Sequence, residues 1–516
     1  MKITSRLSCT IFTLLCYQLT FGIDQATGKS PDIVMIAIDD LRPMLGCYGD
    51  RKIKSPNIDS LAKRGVVFER AYCQYAKCGT SRLSLMTGLR PDSIGIFSNK
   101  AADAAKFRAN HPEIDSIARW LKKSGYHTQS FGKIYHDGWD NRNDWSTDSL
   151  PGRDHEMLEI TDTENIKAPT IIAERLNCPV LQAPDVPDEH LFAGRMTSKV
   201  IDTLDHFENS KPLFLAVGFR RPHLPFVAPK TYFDRYQIDD SWLASNQRPN
   251  TTIPIMSWFN SDGYIGSARK VGLTMPLQPD YDQARDWNGY EMRSYQGVPN
   301  QGPIPHATQV NLIHAYAACI SYVDAQIGRI LEHLRHSPRF KNAIIVLWSD
   351  HGWHLGEHSA WGKMTNFEIA TRVPLIISAP DFKPSRTDYI AELVDLYPTL
   401  CDLAEVQKPK HLEGNSLLKA LQSEDSSPQS AAPSMALSQY TRFRDRYMGR
   451  AIRTPNYRYI AWFDQRENSI VGRELYDHRV DSDENDNLAS MKEHAATVAN
   501  FDKQVQRLFG LPVIVP

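Results

Sequence analysis

The sequence has no excess of charge of either sign. Its 516 residues contain 59 lysines and arginines against 60 aspartates and glutamates. Such a chain lacks the long-range positive field of a protein that coats nucleic acid, so a site for a polyanion has to come from a local group of cations. Hydrophobic residues make up 41% of the chain, which is enough to bury a large core.

Long apolar runs are missing beyond the N-terminus. Residues 1–22 combine Lys2 and Arg6 with an acid-free, mostly apolar stretch and small residues near Gly22, a pattern that predicts a signal peptide. No later run approaches the roughly 18 to 20 apolar residues that a membrane helix needs. We therefore expect a secreted or periplasmic protein, lysosomal if eukaryotic, with no integral membrane segment after the signal is removed.

Cysteine is scarce, with eight residues in the whole chain. That number is too small for a disulfide scaffold at this length. Two of them, Cys9 and Cys16, belong to the predicted signal peptide. Five others show no metal-site spacing and are predicted to be buried thiols or to form one or two bridges: Cys47, Cys73, Cys178, Cys319 and Cys401.

Continuous apolar runs alternate with helical patterns along the chain, which is typical of a wound α/β sheet. Four runs predict strands that are covered on both faces: residues 32–38, 212–218, 343–349 and 373–378. Helices are predicted at 57–64, around 114–121 and from about 309 to 334, where apolar residues recur at helical spacing. We expect an α/β fold with a large mixed sheet flanked by helices.

A domain boundary is predicted at residues 421–436, which are rich in Ser, Pro and Ala and show no periodicity. This linker region would separate a catalytic domain, residues 28–425, from a smaller C-terminal subdomain, residues 437–516. Strand-like segments at 457–463 and 474–476, with a closing helix near 491–508, predict an α+β subdomain built on an antiparallel sheet.

Acidic residues follow two of the predicted strands directly. Asp39 and Asp40 follow one strand, and Asp350 with His351 follows another. Ligands of open α/β sheets bind at the carboxyl ends of the strands, and neighbouring buried carboxylates are unfavourable unless a cation neutralises them. Oxygen ligands of this kind suit Ca²⁺ or Mg²⁺. From spacing alone, solvated loop acids explain the pattern equally well.

Cys78 heads a segment that can form a short helix. Thr80 or Ser81 can cap this helix, which would place the Cys78 thiol at its positive end. The thiol pKa would then be lowered, and Arg82, one turn further on, could point back to the same place. A buried cysteine before a helix is the alternative interpretation.

These pieces resemble the type I, formylglycine-dependent sulfatases of the alkaline-phosphatase superfamily. Residues 78–82, Cys-Gly-Thr-Ser-Arg, with Thr87-Gly88 downstream, resemble the family signature C-x-P-S-R, although Thr80 stands where the signature usually has proline. The likeness continues through residues 38–43, 55–59, 131–136, 221–225, 349–358 and 474–477. Within the family, Asp350-His351 resembles the iduronate-2-sulfatase subfamily, since many other members have Asp-Asn there.

The resemblance implies an alkaline-phosphatase-like fold and a hydrolase that removes sulfate from a uronate-containing glycan, such as a glycosaminoglycan. A formylglycine-generating or anaerobic maturating enzyme would convert Cys78 to formylglycine. It further implies a site with three groups of residues. Calcium, with magnesium as the alternative, would be held by Asp39, Asp40, Cys78, Asp350 and His351. Catalysis would use Cys78, Arg82, Lys133, His136, His223 and Lys363. Substrate would contact Lys133, His223, Lys363, Arg221 and Trp353.

The sequence leaves two other functions open. A phosphoester hydrolase of the same superfamily would more often use Thr or Ser as nucleophile together with two metal ions. A catalytically inactive protein that only binds sulfated glycan is the other candidate, and the departure at Thr80 is its one support in the sequence.

Overall fold

The computed structural model describes residues 30–147, 150–151, 175–423 and 435–511. The predicted signal peptide and residues 424–434 of the predicted linker lie outside the described residues, so the domain boundaries stay predictions. None of the described helices is long and apolar enough to cross a membrane. The six cysteines in these ranges carry free thiols, and five of them are buried.

Seventeen strands are found in the described residues. In chain order they are β1 (Ile33–Ile38), β2 (Val66–Tyr72), β3 (His127–Gly132), β4 (Leu150–Pro151), β5 (Leu181–Gln182), β6 (Leu213–Phe219), β7 (Phe226–Val227), β8 (Ile344–Ser349), β9 (His354–Leu355), β10 (Trp361–Gly362), β11 (Arg372–Val373), β12 (Leu375–Ser378), β13 (Ser385–Glu392), β14 (Ala436–Arg442), β15 (Tyr447–Arg453), β16 (Tyr457–Asp464) and β17 (Ser469–Asp477).

Nine of these strands form one large mixed sheet. Neighbouring strands run in the order β2, β12, β8, β1, β6, β3, β4, and both β11 and β13 also pair with β2. The central pairs β1–β8, β1–β6 and β3–β6 are parallel, whereas β12 runs antiparallel to β8 and to β2. All six residues of β1 are buried, as expected for a strand with helices on both faces.

The register of the central strands decides where the acidic residues meet. Ile38 at the end of β1 is paired with Ser349 of β8 on one side and with Phe219 of β6 on the other. The residues that follow these three positions therefore leave the sheet at the same edge. The segments that follow Ile38, Phe219 and Ser349 therefore lie close to one another.

Helices cover both faces of the sheet, and the predicted ones are present with shifted ends. The predicted helix at 57–64 is found at Pro56–Ala62, and the one near 309–334 runs from His306 to His336. The other helices in the described ranges are Cys78–Thr87, Pro91–Ile94, Ala101–Asn110, Ile117–Lys123, Phe192–Asp205, Lys230–Phe233, Ile255–Trp258, Ile265–Lys270, Tyr281–Trp287, Tyr290–Arg293, Glu368–Thr371, Leu396–Leu403, Leu418–Gln422 and Ala495–Leu508.

A second, antiparallel sheet is formed by β14 to β17 in sequence order, and the helix Ala495–Leu508 packs on it. This sheet contacts the chain just before Cys78. The hydroxyl of Ser438 donates to the backbone carbonyl of Cys73 at 2.6 Å. The backbone N–H of Gln439 donates to the backbone carbonyl of Gln74 at 2.9 Å. The C-terminal sheet therefore supports the chain that presents residue 78.

Candidate active site

Cys78 is the first residue of the ten-residue helix Cys78–Thr87, so its thiol lies at the helix N-terminus as predicted. The predicted capping by Thr80 or Ser81 is wrong. Lys77 occupies the cap position without a side-chain hydrogen bond, the Thr80 hydroxyl donates to the Ile96 carbonyl, and the Ser81 hydroxyl donates to the Asp350 carbonyl at 2.6 Å. Ser81 therefore joins this helix to the end of β8.

The Cys78 thiol lies among charged groups and is 1% exposed. Its Sγ is 3.3 Å from His351 Nε2, 3.5 Å from Lys363 Nζ and 3.8 Å from Asp40 Oδ1. Burial, reinforced by the Asp39 carboxylate, raises the thiol pKa well above its usual value, and the nearby lysines do not offset this. The expectation of a lowered pKa is wrong, because burial and acidic neighbours outweigh the helix end.

The five predicted metal ligands are brought together. One ligand atom from each of Asp39, Asp40, Cys78, Asp350 and His351 lies within 4.8 Å of all the others, and all five residues are buried. Burial raises the pKa of Asp40 well above its usual value, Lys363 opposes the shift, and the neighbouring carboxylates add to it. A buried group of three carboxylates with one imidazole fits a hard divalent cation such as Ca²⁺ or Mg²⁺.

Arg82 hydrogen-bonds two carboxylates of this cluster and is fully buried. Its Nε donates to Asp350 Oδ2 at 2.8 Å and its Nη2 donates to Asp39 Oδ1 at 3.0 Å. The remaining nitrogen donates to the carbonyls of Lys133 and Ile134 at 2.5 and 3.0 Å. One guanidinium thus joins the ends of β1, β3 and β8, which is the planar, multi-donor geometry that distinguishes arginine from lysine.

Two buried lysines bind the neighbouring carboxylates of Asp39 and Asp40. The Lys133 ammonium hydrogen-bonds Asp39, and Lys363 Nζ donates to both oxygens of Asp40 at 2.8 and 2.9 Å. Burial alone would raise the pKa of Asp39, but Lys133 and Arg82 hold it well below its usual value. Both lysines are 2% exposed, so they present positive charge inside a protected site.

His223 reaches the same site from the loop after β6. Its Nε2 is 3.9 Å from Asp40 Oδ2, and its Nδ1 is 2.7 Å from the Leu224 carbonyl oxygen. Burial and the charges of Lys363 and Lys133 lower its pKa well below the usual value. Arg221 donates to the His223 carbonyl at 2.9 Å, so it fixes the loop that carries the imidazole.

Comparison with protein families decides what this site belongs to. The model of the family described as Sulfatase matches residues 31–406, and a model described as N-sulphoglucosamine sulphohydrolase, C-terminal, matches residues 356–509. The chain belongs to the sulfatase family. A mouse relative named "Iduronate 2-sulfatase" is 32% identical, over 92% of this chain and 94% of its own length.

Solved structures similar to this sulfatase have the same fold. A protein solved in complex with its substrate, D-glucosamine-2-N,6-O-disulfate, aligns with a TM-score of 0.67 at 21% identity, over 93% of this chain and 97% of its own. The phosphonate monoester hydrolase of Agrobacterium radiobacter also aligns with a TM-score of 0.67 at 21% identity, over 93% and 95% of the two chains. At this identity the likeness concerns the fold, which is the alkaline-phosphatase-like sulfatase architecture expected from the sequence.

Two further predicted residues of the sulfatase site, His136 and Trp353, lie near its lysines. His136 follows β3, its Nδ1 is buried without a hydrogen-bond partner among the described residues, and its ring meets Trp139 edge-on at 5.9 Å. Burial and the charge of Lys133 lower the pKa of His136 to about 3. Trp353 is fully buried, and its ring centroid is 5.1 Å from Lys363 Nζ. The substrate contacts predicted for Trp353 and Arg221 stay predictions.

Sequence reasoning missed Glu291, which also faces the sulfatase site. Its Oε1 lies 3.5 Å from Lys363 Nζ and 3.9 Å from His223 Nε2. No motif surrounds this residue. Its one signal in the sequence is an acidic residue between two large side chains, Tyr290 and Met292. The structure buries both of these neighbours fully. An acid in such a context is buried for a reason other than solubility.

Proposed function

We propose that this protein is a formylglycine-dependent sulfatase that removes sulfate from a sulfated uronate in a glycan, as the name of its mouse relative indicates for that protein. One observation carries the proposal: the side chain of residue 78 lies inside the acidic cluster, within 3.5 Å of both His351 and Lys363. Sulfated oligosaccharide or polysaccharide, such as a glycosaminoglycan, is the proposed substrate.

The environment of Cys78 favours its modification over direct use of the thiol. Thiolate, not thiol, is the nucleophilic form of cysteine, and burial with the Asp39 carboxylate raises the pKa of this thiol well above its usual value. As a formylglycine hydrate, residue 78 would supply two hydroxyls on one carbon, one to attack sulfur and one to release sulfate. A formylglycine-generating or anaerobic maturating enzyme is therefore the proposed partner in biosynthesis.

The acidic cluster would hold a divalent cation, for which we propose Ca²⁺, with Mg²⁺ as the alternative. Bound by Asp39, Asp40, Asp350, His351 and residue 78, such an ion supplies positive charge next to the nucleophile. Lys133 and Lys363 would then face the oxygens of the sulfate ester and stabilise the charge that develops in the transition state. Arg82 keeps Asp39 and Asp350 oriented through the hydrogen bonds described above.

The two histidines would move protons at opposite ends of the reaction. His223, whose Nε2 lies 3.9 Å from Asp40 Oδ2, would protonate the departing sugar oxygen. An anionic ester between Lys133 and Lys363 offsets the charges that lower the pKa of His223, and so favours its protonated form. His136 is neutral at ordinary pH, since its pKa is about 3, and would accept a proton from residue 78.

The N-terminal sequence supports a proposal for the location of the enzyme. We propose that residues 1–22 direct secretion, to the periplasm or the exterior in a bacterium and to the lysosome in a eukaryote. The mostly apolar, acid-free stretch after Lys2 and Arg6 supports this. A sulfated polymer outside the cell would then be accessible to the site.

Phosphoester or phosphonate hydrolysis is the second candidate, because a phosphonate monoester hydrolase shares the fold. In the described residues, one group of ligand atoms surrounds Cys78, and the other group that could hold a metal, Glu368, His478 and Glu484, includes carboxylates already paired with Arg453 and Arg458. A single metal position next to residue 78 favours the sulfatase over a phosphoester hydrolase that uses two metal ions. Sulfated-glycan binding without catalysis is disfavoured by the complete set of charged residues.

Release of sulfate from a panel of sulfated disaccharides tests the proposal. The panel contains a 2-sulfated uronate disaccharide, a 6-sulfated hexosamine disaccharide, an N-sulfated disaccharide and an aryl phosphate. We expect sulfate release from the uronate compound to exceed that from every other member. Faster cleavage of the aryl phosphate than of any sulfate would overturn the proposal, and faster cleavage of a hexosamine sulfate would overturn its substrate.

A further inference from the structure

Glu291 brings an unused hydrogen-bond acceptor into the active site. The residue is 5% exposed, and its Oε2 is buried without a hydrogen-bond partner in the part of the chain that the structure describes. Its other oxygen, Oε1, is 3.5 Å from Lys363 Nζ and 3.9 Å from His223 Nε2. A buried carboxylate oxygen without a donor is destabilising, so this position calls for a donor from outside the described chain.

The carboxylate is held in place by a rigid support. The helix Tyr290–Arg293 starts after Gly289, whose φ of 74° and close approach to Trp361 exclude other side chains. The Gly289 amide donates to Asn260 Oδ1 at 2.9 Å, and Asn260 Nδ2 donates to the Lys363 carbonyl at 2.9 Å. Asn260 therefore links the backbone of the Glu291 helix directly to the backbone of Lys363.

Charge makes the position of Glu291 informative. A sulfate ester is an anion, and a second anion beside its binding site opposes binding unless a cation or a hydrogen-bond donor offsets its charge. Glu291 lies next to His223, the proposed proton donor to the leaving group, and next to Lys363, which is proposed to face the sulfate oxygens. With His223 as the proton donor, the part of the substrate next to Glu291 would be the sugar ring, which carries hydroxyl donors next to the sulfated carbon.

We propose that Glu291 is a specificity-determining residue whose Oε2 accepts a hydrogen bond from the sugar hydroxyl next to the sulfate ester. This assignment rests on the proposed sulfatase function and adds the recognition of a vicinal hydroxyl to it. The hydrogen bond satisfies the buried oxygen and aligns the ring with His223. An aryl sulfate has no such hydroxyl and leaves Glu291 without its donor.

The test compares Glu291→Gln with the wild-type enzyme on three substrates: a 2-sulfated uronate disaccharide, its 3-deoxy analogue and nitrophenyl sulfate. Loss of a charged hydrogen bond is expected to lower kcat/KM for the disaccharide about 10- to 100-fold. The aryl sulfate and the deoxy analogue are expected to change less than about 3-fold, since neither offers the hydroxyl. For the disaccharide, kcat/KM of Glu291→Asp, which keeps the charge, is expected to lie between the values of the wild type and of Glu291→Gln.

Glu467→Gln, an exposed acid in a turn of the C-terminal sheet, is the matched control and should leave all three rates unchanged. Unfolding midpoints of the variants show whether Glu291→Gln folds. Equal losses on all three substrates, or no loss on the disaccharide, overturn the assignment. If the wild type cleaves another sulfated saccharide instead, the proposed substrate is wrong, and the same comparison of that saccharide with aryl sulfate decides on Glu291. Cleavage of aryl sulfate alone overturns both proposals.

Discussion

Arg82 donates a hydrogen bond to Asp350 at 2.8 Å, and neither side chain has any exposure to solvent. The same guanidinium also binds Asp39, so it connects the two strand ends that supply the proposed metal ligands. A buried charge of this kind is tolerable only while its partners are present. The pair therefore links the stability of the fold to the geometry of the site.

Arg82→Lys is expected to be strongly destabilising. An ammonium group cannot reach Asp39, Asp350 and the two backbone carbonyls together, which leaves a buried carboxylate without its partner at a cost of about 3–5 kcal/mol. Urea denaturation followed by circular dichroism measures the loss, and Arg269→Lys on the exposed end of the helix Ile265–Lys270 is the matched control. Equal stability of the two variants would contradict the role given to Arg82.

The strands were predictable because they depend on local sequence, whereas the residues of the candidate site were predicted mainly from the resemblance of their motifs to the sulfatase family. Apolar runs mark the buried strands, and the acids that directly follow them, such as Asp39 and Asp350, meet because the strands are neighbours in register. Glu291 was not predictable, since only tertiary packing brings its short helix to Lys363. The thiol pKa of Cys78 was predicted in the wrong direction, because burial depends on the whole fold and the helix end does not.

Cys78→Ser is expected to fold normally but to stop after one turnover. A serine hydroxyl could take the sulfate group but has no second hydroxyl on the same carbon to release it. We expect at most one equivalent of desulfated sugar per enzyme, with a gain of one SO3 group in the protein mass, while Cys78→Ala gives neither. Mass analysis of the tryptic peptide of the wild type should show formylglycine at position 78. Multiple turnovers by the serine variant, or by wild type with an intact thiol, would contradict the mechanism.

Binding of a divalent cation is expected to stabilise the protein, because Asp39, Asp40 and Asp350 repel one another inside the fold. The unfolding midpoint should rise with added Ca²⁺ and fall after treatment with a chelator, which should also abolish sulfate release. Asp40→Asn removes one charged ligand and should weaken or remove this response. Asp282→Asn, whose side chain is 79% exposed, serves as control. A calcium response in Asp40→Asn equal to that of the wild type would argue against the proposed ligand set.

Glu474 is expected to make stability depend on pH. Burial raises the pKa of this carboxyl to about 7, although Ser257, Tyr476 and Trp462 all donate hydrogen bonds to it. The folded state therefore holds the proton more tightly than the unfolded state, where a glutamate titrates near 4.5. Its stabilising contribution is complete below about pH 4.5 and is lost as the pH rises through about 7.

Glu474→Gln isolates this effect, because the amide oxygen can accept from Trp462 and Ser257 and the amide nitrogen can donate to Tyr476. We expect the free energy of unfolding of the wild type, relative to the variant, to fall by about 3 kcal/mol between pH 4.5 and 7.5, since each pKa unit corresponds to about 1.4 kcal/mol. Denaturant unfolding at several pH values measures the difference, with the exposed Glu467→Gln as control. Parallel pH profiles for wild type and Glu474→Gln would show that the carboxyl does not titrate in this range, because a group that stays in one protonation state cannot change the relative stability of the two proteins.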